Sequence, residues 1–130
     1  MYGFSTNVHG SIDEVKARVT QALAKEGFGI LTEIDVKAVM KAKLDLDRRP
    51  YLILGACNPN FAHRALDADP DLGLLLPCNV VLRTEEDGSQ TVAFMDPQAV
   101  LGLVERPGVQ PLGEEVRRIL LRVRDAVAAG

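Results

Sequence analysis

The chain has 130 residues, of which 47% are hydrophobic and 25% are charged, and its formal net charge is −3. These values are typical of one globular domain that spans residues 1–130, and they exclude a disordered chain. Lysine and arginine are spread along the whole sequence and form no basic patch, so we do not expect the protein to bind nucleic acid.

The sequence also limits the compartment in which we expect the protein. Cys57 and Cys78 are its only cysteines, which is too few for the disulfide framework of a small secreted protein. The N-terminus lacks the basic segment and apolar run of a signal peptide. The longest apolar stretch, residues 72–82, is well short of the roughly 20 residues needed to span a bilayer. We therefore expect a cytoplasmic protein that does not enter the membrane.

The first strand and helix are predicted by alternation and by end signals. Apolar residues alternate with small or polar ones over residues 2–8, which indicates a half-buried strand. Ser11 and Glu14 have the spacing of a capping box, which begins a helix. Gly27 fits the position just past the end of that helix, where a left-handed backbone is common.

Two further strands and a short helix follow. Residues 28–34 are rich in β-formers and predict a second strand, and Asp35 is placed to cap a short helix after it. The apolar run of residues 51–54 lies between Pro50 and Gly55. Such a run predicts a central strand that is buried on both faces, or nearly so.

Three pairs of asparagine or aspartate followed by proline predict where further helices or turns begin. Such pairs favour a helix start because the side chain accepts the first N–H groups and proline has no N–H to leave unpaired. Asn58-Pro59 predicts a helix, Asp69-Pro70 a brief turn, and Asp96-Pro97 a short helix that continues to Val104.

The remaining elements are a hairpin and a long final helix. The dipeptide Asp87-Gly88 favours a tight turn between strands at residues 79–84 and 91–95, and Pro111 begins the last helix. The predicted order is therefore β-α-β-α-β-α-β-β-α-α. It favours an α+β fold with a mostly antiparallel sheet and helices packed on one face. A doubly wound parallel sheet is the alternative.

The sequence contains no standard catalytic motif, and the two cysteines are its most distinctive chemical feature. Cys57 directly precedes the Asn58 cap, where unpaired N–H groups and the helix dipole favour a thiolate. Cys78 begins the next strand, so the two thiols are close if the two strands are neighbours. The alternative is that both cysteines simply fill space in the core.

A disulfide between them would close a loop of about twenty residues and contribute roughly 3 kcal/mol. Disulfides are uncommon in the cytosol, so we expect two free thiols.

Three polar residues are candidates for ligand binding near the thiols: Asn58, Asn79 and Asp96. Each also has a structural explanation, as a cap or a turn residue. His63 invites a metal site with the two cysteines. The six residues from Cys57 to His63 turn a helix by about 240°, however, so His63 is expected to point away. We predict no metal site and no cofactor.

Several of these motifs resemble the domain-of-unknown-function family numbered 302. They are residues 55–59 (Gly-Ala-Cys-Asn-Pro), 76–79 (Leu-Pro-Cys-Asn), Asp96-Pro97 and the stretch at 27–35. The resemblance covers nearly the whole chain. It implies a compact bacterial or archaeal α+β domain that has a sheet similar to the TATA-binding-protein arrangement and forms dimers. It marks both cysteines as signature positions and supplies no role for either.

Two hypotheses about function follow. The first is a small-molecule-binding or interaction domain with a site near Cys57 and Cys78. The alternative is a thiol-based redox enzyme or sensor that uses the same two residues. We also expect a homodimer, because helices packed on one side leave the other face of the sheet bare and two-fold pairing is the commonest assembly.

Overall fold

The structure is a computed structural model that describes residues 1–130. The strands are β1 (Gly3–Val8), β2 (Gly29–Asp35), β3 (Tyr51–Cys57), β4 (Cys78–Thr84) and β5 (Gln90–Met95). The α-helices are α1 (Ile12–Lys25), α2 (Val36–Leu44), α3 (Pro59–Ala68), α4 (Pro97–Leu101) and α5 (Val109–Ala129), and a 3₁₀ helix at Pro70–Leu75 joins α3 to β4. No helix combines the length and the apolar character that crossing a membrane requires.

The five strands form one sheet in the order β1-β5-β4-β3-β2, and every neighbouring pair is antiparallel. The predicted α+β class with an antiparallel sheet is therefore confirmed, and the doubly wound parallel alternative is wrong. The strands β3 and β4 are neighbours, which was the condition for bringing the two cysteines together.

Local capping fixes the starts of the helices as the sequence predicts. The Oγ of Ser11 accepts the N–H of Glu14 at 3.1 Å, and Oδ1 of Asp35 accepts the N–H of Ala38 at 2.9 Å. Gly27 has a φ of 85°, in the left-handed region that favours glycine.

The boundaries near the C-terminus differ from the prediction. Helix α4 ends at Leu101 instead of Val104, because the N–H groups of Leu103 and Val104 bond three residues back, to Val100 and Leu101, and not four. The Gln110 side chain also donates hydrogen bonds to the carbonyl groups of Leu101 and Val104, at 3.3 and 3.2 Å. Helix α5 begins at Val109, two residues before Pro111.

One face of the sheet packs against α1 and α5 to form the core. These two helices contribute buried valine and leucine at helical spacing, including Val15, Val19, Leu23, Val116, Leu120 and Val123. The strands contribute the alternate residues Leu54, Val80, Leu82, Val92 and Phe94. This alternation is what a sheet with one covered face requires.

The opposite face carries an apolar row that runs straight across the sheet. Ile34, Ile53, Val81 and Ala93 are successive cross-strand partners, and Ser5 continues the row on β1. None of the five is buried, and we call this row the uncovered row. Of the two faces of β3 that were expected to be buried or nearly so, the core face is fully buried at Leu54 and the other is only partly buried at Ile53.

Candidate functional site

A cavity of about 210 Å³ opens where β3 ends and β4 begins, and we call it the cysteine cavity. Eighteen residues line it, and 14 of them are hydrophobic. The lining comes from Phe28 and Leu31, from Ala56, Cys57 and Asn58, from Phe61, Ala62, Ala65 and Leu66, from Gly73, Leu76, Pro77 and Cys78, from Met95, Pro97 and Leu101, and from Leu112 and Val116. No charged side chain is among them.

Both cysteines are among the residues that line this cavity. Cys78 is the first residue of β4 and is paired with Ala56 in the sheet, so Cys57 is one residue along from that pair. Both cysteines are free; Cys57 is half-buried and Cys78 is buried, with 7% of its surface exposed. Both residues therefore lie at the same end of the two neighbouring strands, but the alternation of side chains along β3 directs Cys57 to the opposite face of the sheet from Cys78.

Burial controls the protonation of Cys78. Removal from water, with a smaller contribution from the charge of Cys57, raises the pKa of the Cys78 thiol from 9.0 to about 12. Desolvation has this direction because it disfavours the charged form. Cys78 is therefore a neutral thiol at physiological pH.

Asn58 has a clear structural role. Its Oδ1 accepts the N–H groups of Asn60 and Phe61 at 3.0 and 3.4 Å, and its carbonyl oxygen accepts the N–H of Ala62 at 2.9 Å. The N–H groups that were expected to be unpaired at this helix start are accepted by Asn58 itself.

Two glycines beside the cavity let neighbouring side chains approach the backbone more closely than a Cβ atom would allow. A Cβ atom on Gly27 would lie 2.9 Å from Nδ2 of Asn58, and one on Gly55 would overlap Oγ1 of Thr32 and lie 2.9 Å from Cγ of Pro77. Distances this short force neighbouring atoms to move. Both glycines belong to the motifs noted in the sequence, where only the left-handed backbone of Gly27 had been explained.

The other two candidate polar residues lie outside the cavity lining. Asn79 follows Cys78 in β4, so its side chain points to the opposite face, where it is exposed. Asp96 lies next to the lining residues Met95 and Pro97, but its carboxylate is occupied.

Asp96 serves as a cap and an ion-pair partner. Its Oδ1 accepts the N–H groups of Gln98 and Ala99 at 2.9 and 3.4 Å, and its Oδ2 accepts the Nε–H of Arg117 at 3.1 Å. These contacts join β5 and α4 to α5 beside the cavity, which leaves Asp96 no free oxygen directed at a ligand there.

His63 lies on the exposed side of α3, with Nε2 3.6 Å from Oδ2 of Asp67. It does not line the cavity. Across the chain, no group of three or more His, Cys, Asp or Glu residues is arranged to hold a metal ion.

Sequence reasoning missed most of the cavity wall. Phe61, Leu112 and Val116 recur at helical spacing with other apolar residues, a pattern that predicts a buried face without saying whether it packs tightly. No signal in the sequence distinguishes those that face the cavity from those that fill the core.

Comparisons with known proteins identify the family of this chain. The family model for the domain of unknown function DUF302 matches residues 4–127. An uncharacterised protein of Aquifex aeolicus (strain VF5) is 28% identical over 107 residues, which covers 72% of this chain and 73% of that protein. The crystal structure of an uncharacterised conserved DUF302 protein from Bacillus stearothermophilus is similar with a TM-score of 0.89 and 27% identity, covering 98% of each chain. The chain therefore belongs to the domain of unknown function family DUF302.

Proposed function

We propose that this domain binds a small, uncharged, apolar molecule in the cysteine cavity. The observation that carries the proposal is the lining, in which 14 of 18 residues are hydrophobic and none is charged. A carboxylate or phosphate enclosed there would have no counter-charge, and burying an unpaired ion is strongly unfavourable.

The size of the cavity limits the ligand. An apolar cavity of about 150 Å³ holds a benzene molecule, and this one measures about 210 Å³. A single ring with a short alkyl substituent matches that space. Phe28 and Phe61 lie in the wall with their ring centroids 6.2 Å apart, and their faces suit contact with another ring.

Thermal unfolding with two matched probes tests this function. Ethylbenzene and phenylacetate have similar size, but only phenylacetate carries a charge. We expect ethylbenzene to raise the midpoint of unfolding, because a ligand that binds only the folded state stabilises it by about 2.7 kcal/mol at a hundred times its dissociation constant. Phenylacetate should have no effect.

Two variants locate the binding. Ala62 lines the cavity and is only partly buried, so A62L should fill part of the space and abolish the ethylbenzene shift. Ala24 lies exposed on α1, away from the cavity, so A24L is the matched control and should respond like the wild type. An equal shift with phenylacetate, or an undiminished shift in A62L, would contradict the proposal.

The alternative function is a thiol-based redox enzyme or sensor. The presence of both Cys57 and Cys78 in the lining of the cavity supports it. The raised pKa of Cys78 counts against it, since it disfavours a thiolate at that residue. The two free thiols also suit a reducing compartment, which supports the cytoplasmic location that we propose.

For the assembly, we propose that a second copy of the chain covers the uncovered row. Ile34, Ile53, Val81 and Ala93 form a continuous apolar line across four strands. The uncovered row of one chain can pack against the same row of a second chain about a two-fold axis, because each chain then contributes the same surface. Burial of these side chains supplies about 25 cal/mol for each Å² of apolar surface removed from water.

Light scattering tests the pairing. The wild type should have twice the mass of the 14.1 kDa chain, and V81K, at the centre of the row, should shift it to one chain. Leu103 is 77% exposed and lies outside the sheet, so L103K is a matched control that should stay paired. A wild type with the mass of a single chain would refute this part of the proposal.

A further inference from the structure

We propose that a second cleft, at the start of β3 and the end of β4, binds a small phosphate monoester through Arg48 and Arg49. The cleft measures about 370 Å³, and we call it the arginine cleft. It lies at the opposite end of these two strands from the cysteine cavity and shares no lining residue with it. The inference therefore goes beyond the proposed function and does not depend on it.

Polar and charged groups line the arginine cleft, in contrast to the cysteine cavity. Only one of its eight lining residues is hydrophobic. Tyr51 of β3 and Arg83 of β4 are cross-strand partners, so the segment that leads into β3 meets the end of β4 here. Arginines from two distant parts of the sequence thus line one cleft. The lining consists of Asp47, Arg48, Arg49, Pro50, Tyr51, Arg83, Thr84 and Glu85.

Both carboxylates of the lining already have a cation. Nε of Arg83 lies 3.0 Å from Oε1 of Glu85. Nζ of Lys41 lies 3.4 Å from Oδ1 of Asp47 and 2.9 Å from Oδ1 of Asp45. Neither lining carboxylate is therefore left to neutralise a further arginine.

Arg48 and Arg49 are the cations that remain without a counter-charge. Neither takes part in an ion pair of the chain. Lys37 adds a positive charge beside them, because its Nζ donates a hydrogen bond to the carbonyl oxygen of Arg48 at 2.8 Å. These contacts join five cations to three carboxylates, a surplus of two positive charges in a chain of net charge −3.

Contacts with uncharged groups hold both arginines in place. Nε of Arg49 donates to the carbonyl oxygen of Thr84 at 3.2 Å, which leaves its terminal NH₂ groups for a ligand. The guanidinium of Arg48 lies 5.7 Å from the centre of the Tyr51 ring, and this cation–π contact uses none of its N–H donors. The N–H of Thr84 also donates to the carbonyl oxygen of Pro50 at 3.0 Å. Donors fixed in this way lose less freedom when a ligand binds.

The local charge indicates the class of ligand. Guanidinium groups bind carboxylate and phosphate through paired N–H donors. A phosphate monoester carries a charge of about −1.5 to −2 near neutral pH, which matches the surplus, whereas a carboxylate carries only one charge. The cleft of about 370 Å³ also has room for an organic group, since an apolar cavity of about 150 Å³ holds benzene.

The test compares two ligands of the same shape and different charge. At about pH 8 phenyl phosphate is a dianion, since its second pKa is about 6, whereas phenyl sulfate is a monoanion. The full chain is titrated with each at constant ionic strength and followed by backbone amide NMR. We expect phenyl phosphate to shift the signals of Arg49, Tyr51 and Thr84 in a saturable manner. It should bind about tenfold or more tightly than phenyl sulfate, which offers less charge to the same donors.

Matched variants locate the site. R48Q and R49Q should each weaken phenyl phosphate about tenfold, because each removes charge-assisted hydrogen bonds. Arg118 is exposed on α5, so R118Q removes the same charge elsewhere and should bind like the wild type. The Arg48 side chain donates no hydrogen bond within the chain, so R48Q tests the site even if loss of the bond to Thr84 unfolds R49Q.

Three results would overturn the proposal. Phenyl sulfate that binds as tightly as phenyl phosphate would show that the cleft does not select the second charge. An equal loss in R118Q would assign the binding to general surface charge. Shifts confined to Leu112 and Val116 would place the ligand in the cysteine cavity.

Discussion

The protonation of Cys78 gives a prediction that needs no knowledge of the ligand. Its pKa is raised from 9.0 to about 12, first by burial and second by the charge of Cys57. Only the thiolate reacts with alkylating agents. At about pH 8 the thiolate fraction of Cys78 is therefore about a thousandfold smaller than that of an ordinary thiol.

The assay is the rate of alkylation by iodoacetamide in the folded protein, followed for each cysteine by peptide mass spectrometry from neutral to alkaline pH. We expect Cys57 to react and Cys78 to remain at least about a thousandfold slower than in the unfolded chain. In C57S the rate at Cys78 should rise, because the neighbouring charge is gone, but remain slow because burial persists. A Cys78 that titrates with an ordinary thiol pKa in the folded protein would refute this reasoning.

The same shift links stability to alkaline pH. Between pH 9.0 and about 12 the unfolded chain has released the Cys78 proton while the folded protein still binds it. The free energy of unfolding should therefore fall as the pH rises through this window, with a slope of up to about 1.4 kcal/mol per pH unit from this group. C78A should lose that part of the slope, so the difference between the two urea unfolding profiles isolates it.

Three further predictions concern contacts that stabilise the folded domain. N58A should lower the free energy of unfolding by about 1 kcal/mol, because the start of α3 loses its cap; an unchanged urea midpoint would argue against that role. The Arg122 hydrogen bond lowers the pKa of Glu26, so the stability from this pair is present above pH 4.5 and is lost as the pH falls through the lowered pKa; R122Q should abolish this acid-side slope. G55A should cost about 1–3 kcal/mol through its clash with Thr32, and T32A in the same chain should recover part of the loss.

Local chemistry made much of the fold predictable. The caps at Ser11, Asp35, Asn58 and Asp96 each depend on residues within three positions, and all four begin the helices expected of them. The predicted end of α4 was wrong, and the turn that follows Leu101 is held by a hydrogen bond from the side chain of Gln110, nine residues further on. A contact over that distance leaves no local pattern.

The candidate site was predictable only in part. The period of two in a strand already implies that Cys78 and Asn79 point to opposite faces. The sequence could therefore have predicted that the Asn79 side chain does not line the cavity. The ion pair between Asp96 and Arg117 joins residues 21 positions apart, and its existence depends on how α5 packs. The cavity itself arises from that packing, which composition and periodicity do not specify.

Methyl NMR with ethylbenzene tests the central claim most directly. Leu112 and Val116 line the cysteine cavity, whereas Val123 and Val127 lie further along the same helix, buried in the core and outside the lining. We predict that ethylbenzene shifts the methyl signals of the first pair in a saturable manner and leaves those of the second pair unchanged. Shifts confined to Val81 on the uncovered row, or no saturable shift at Leu112 and Val116, would contradict the account.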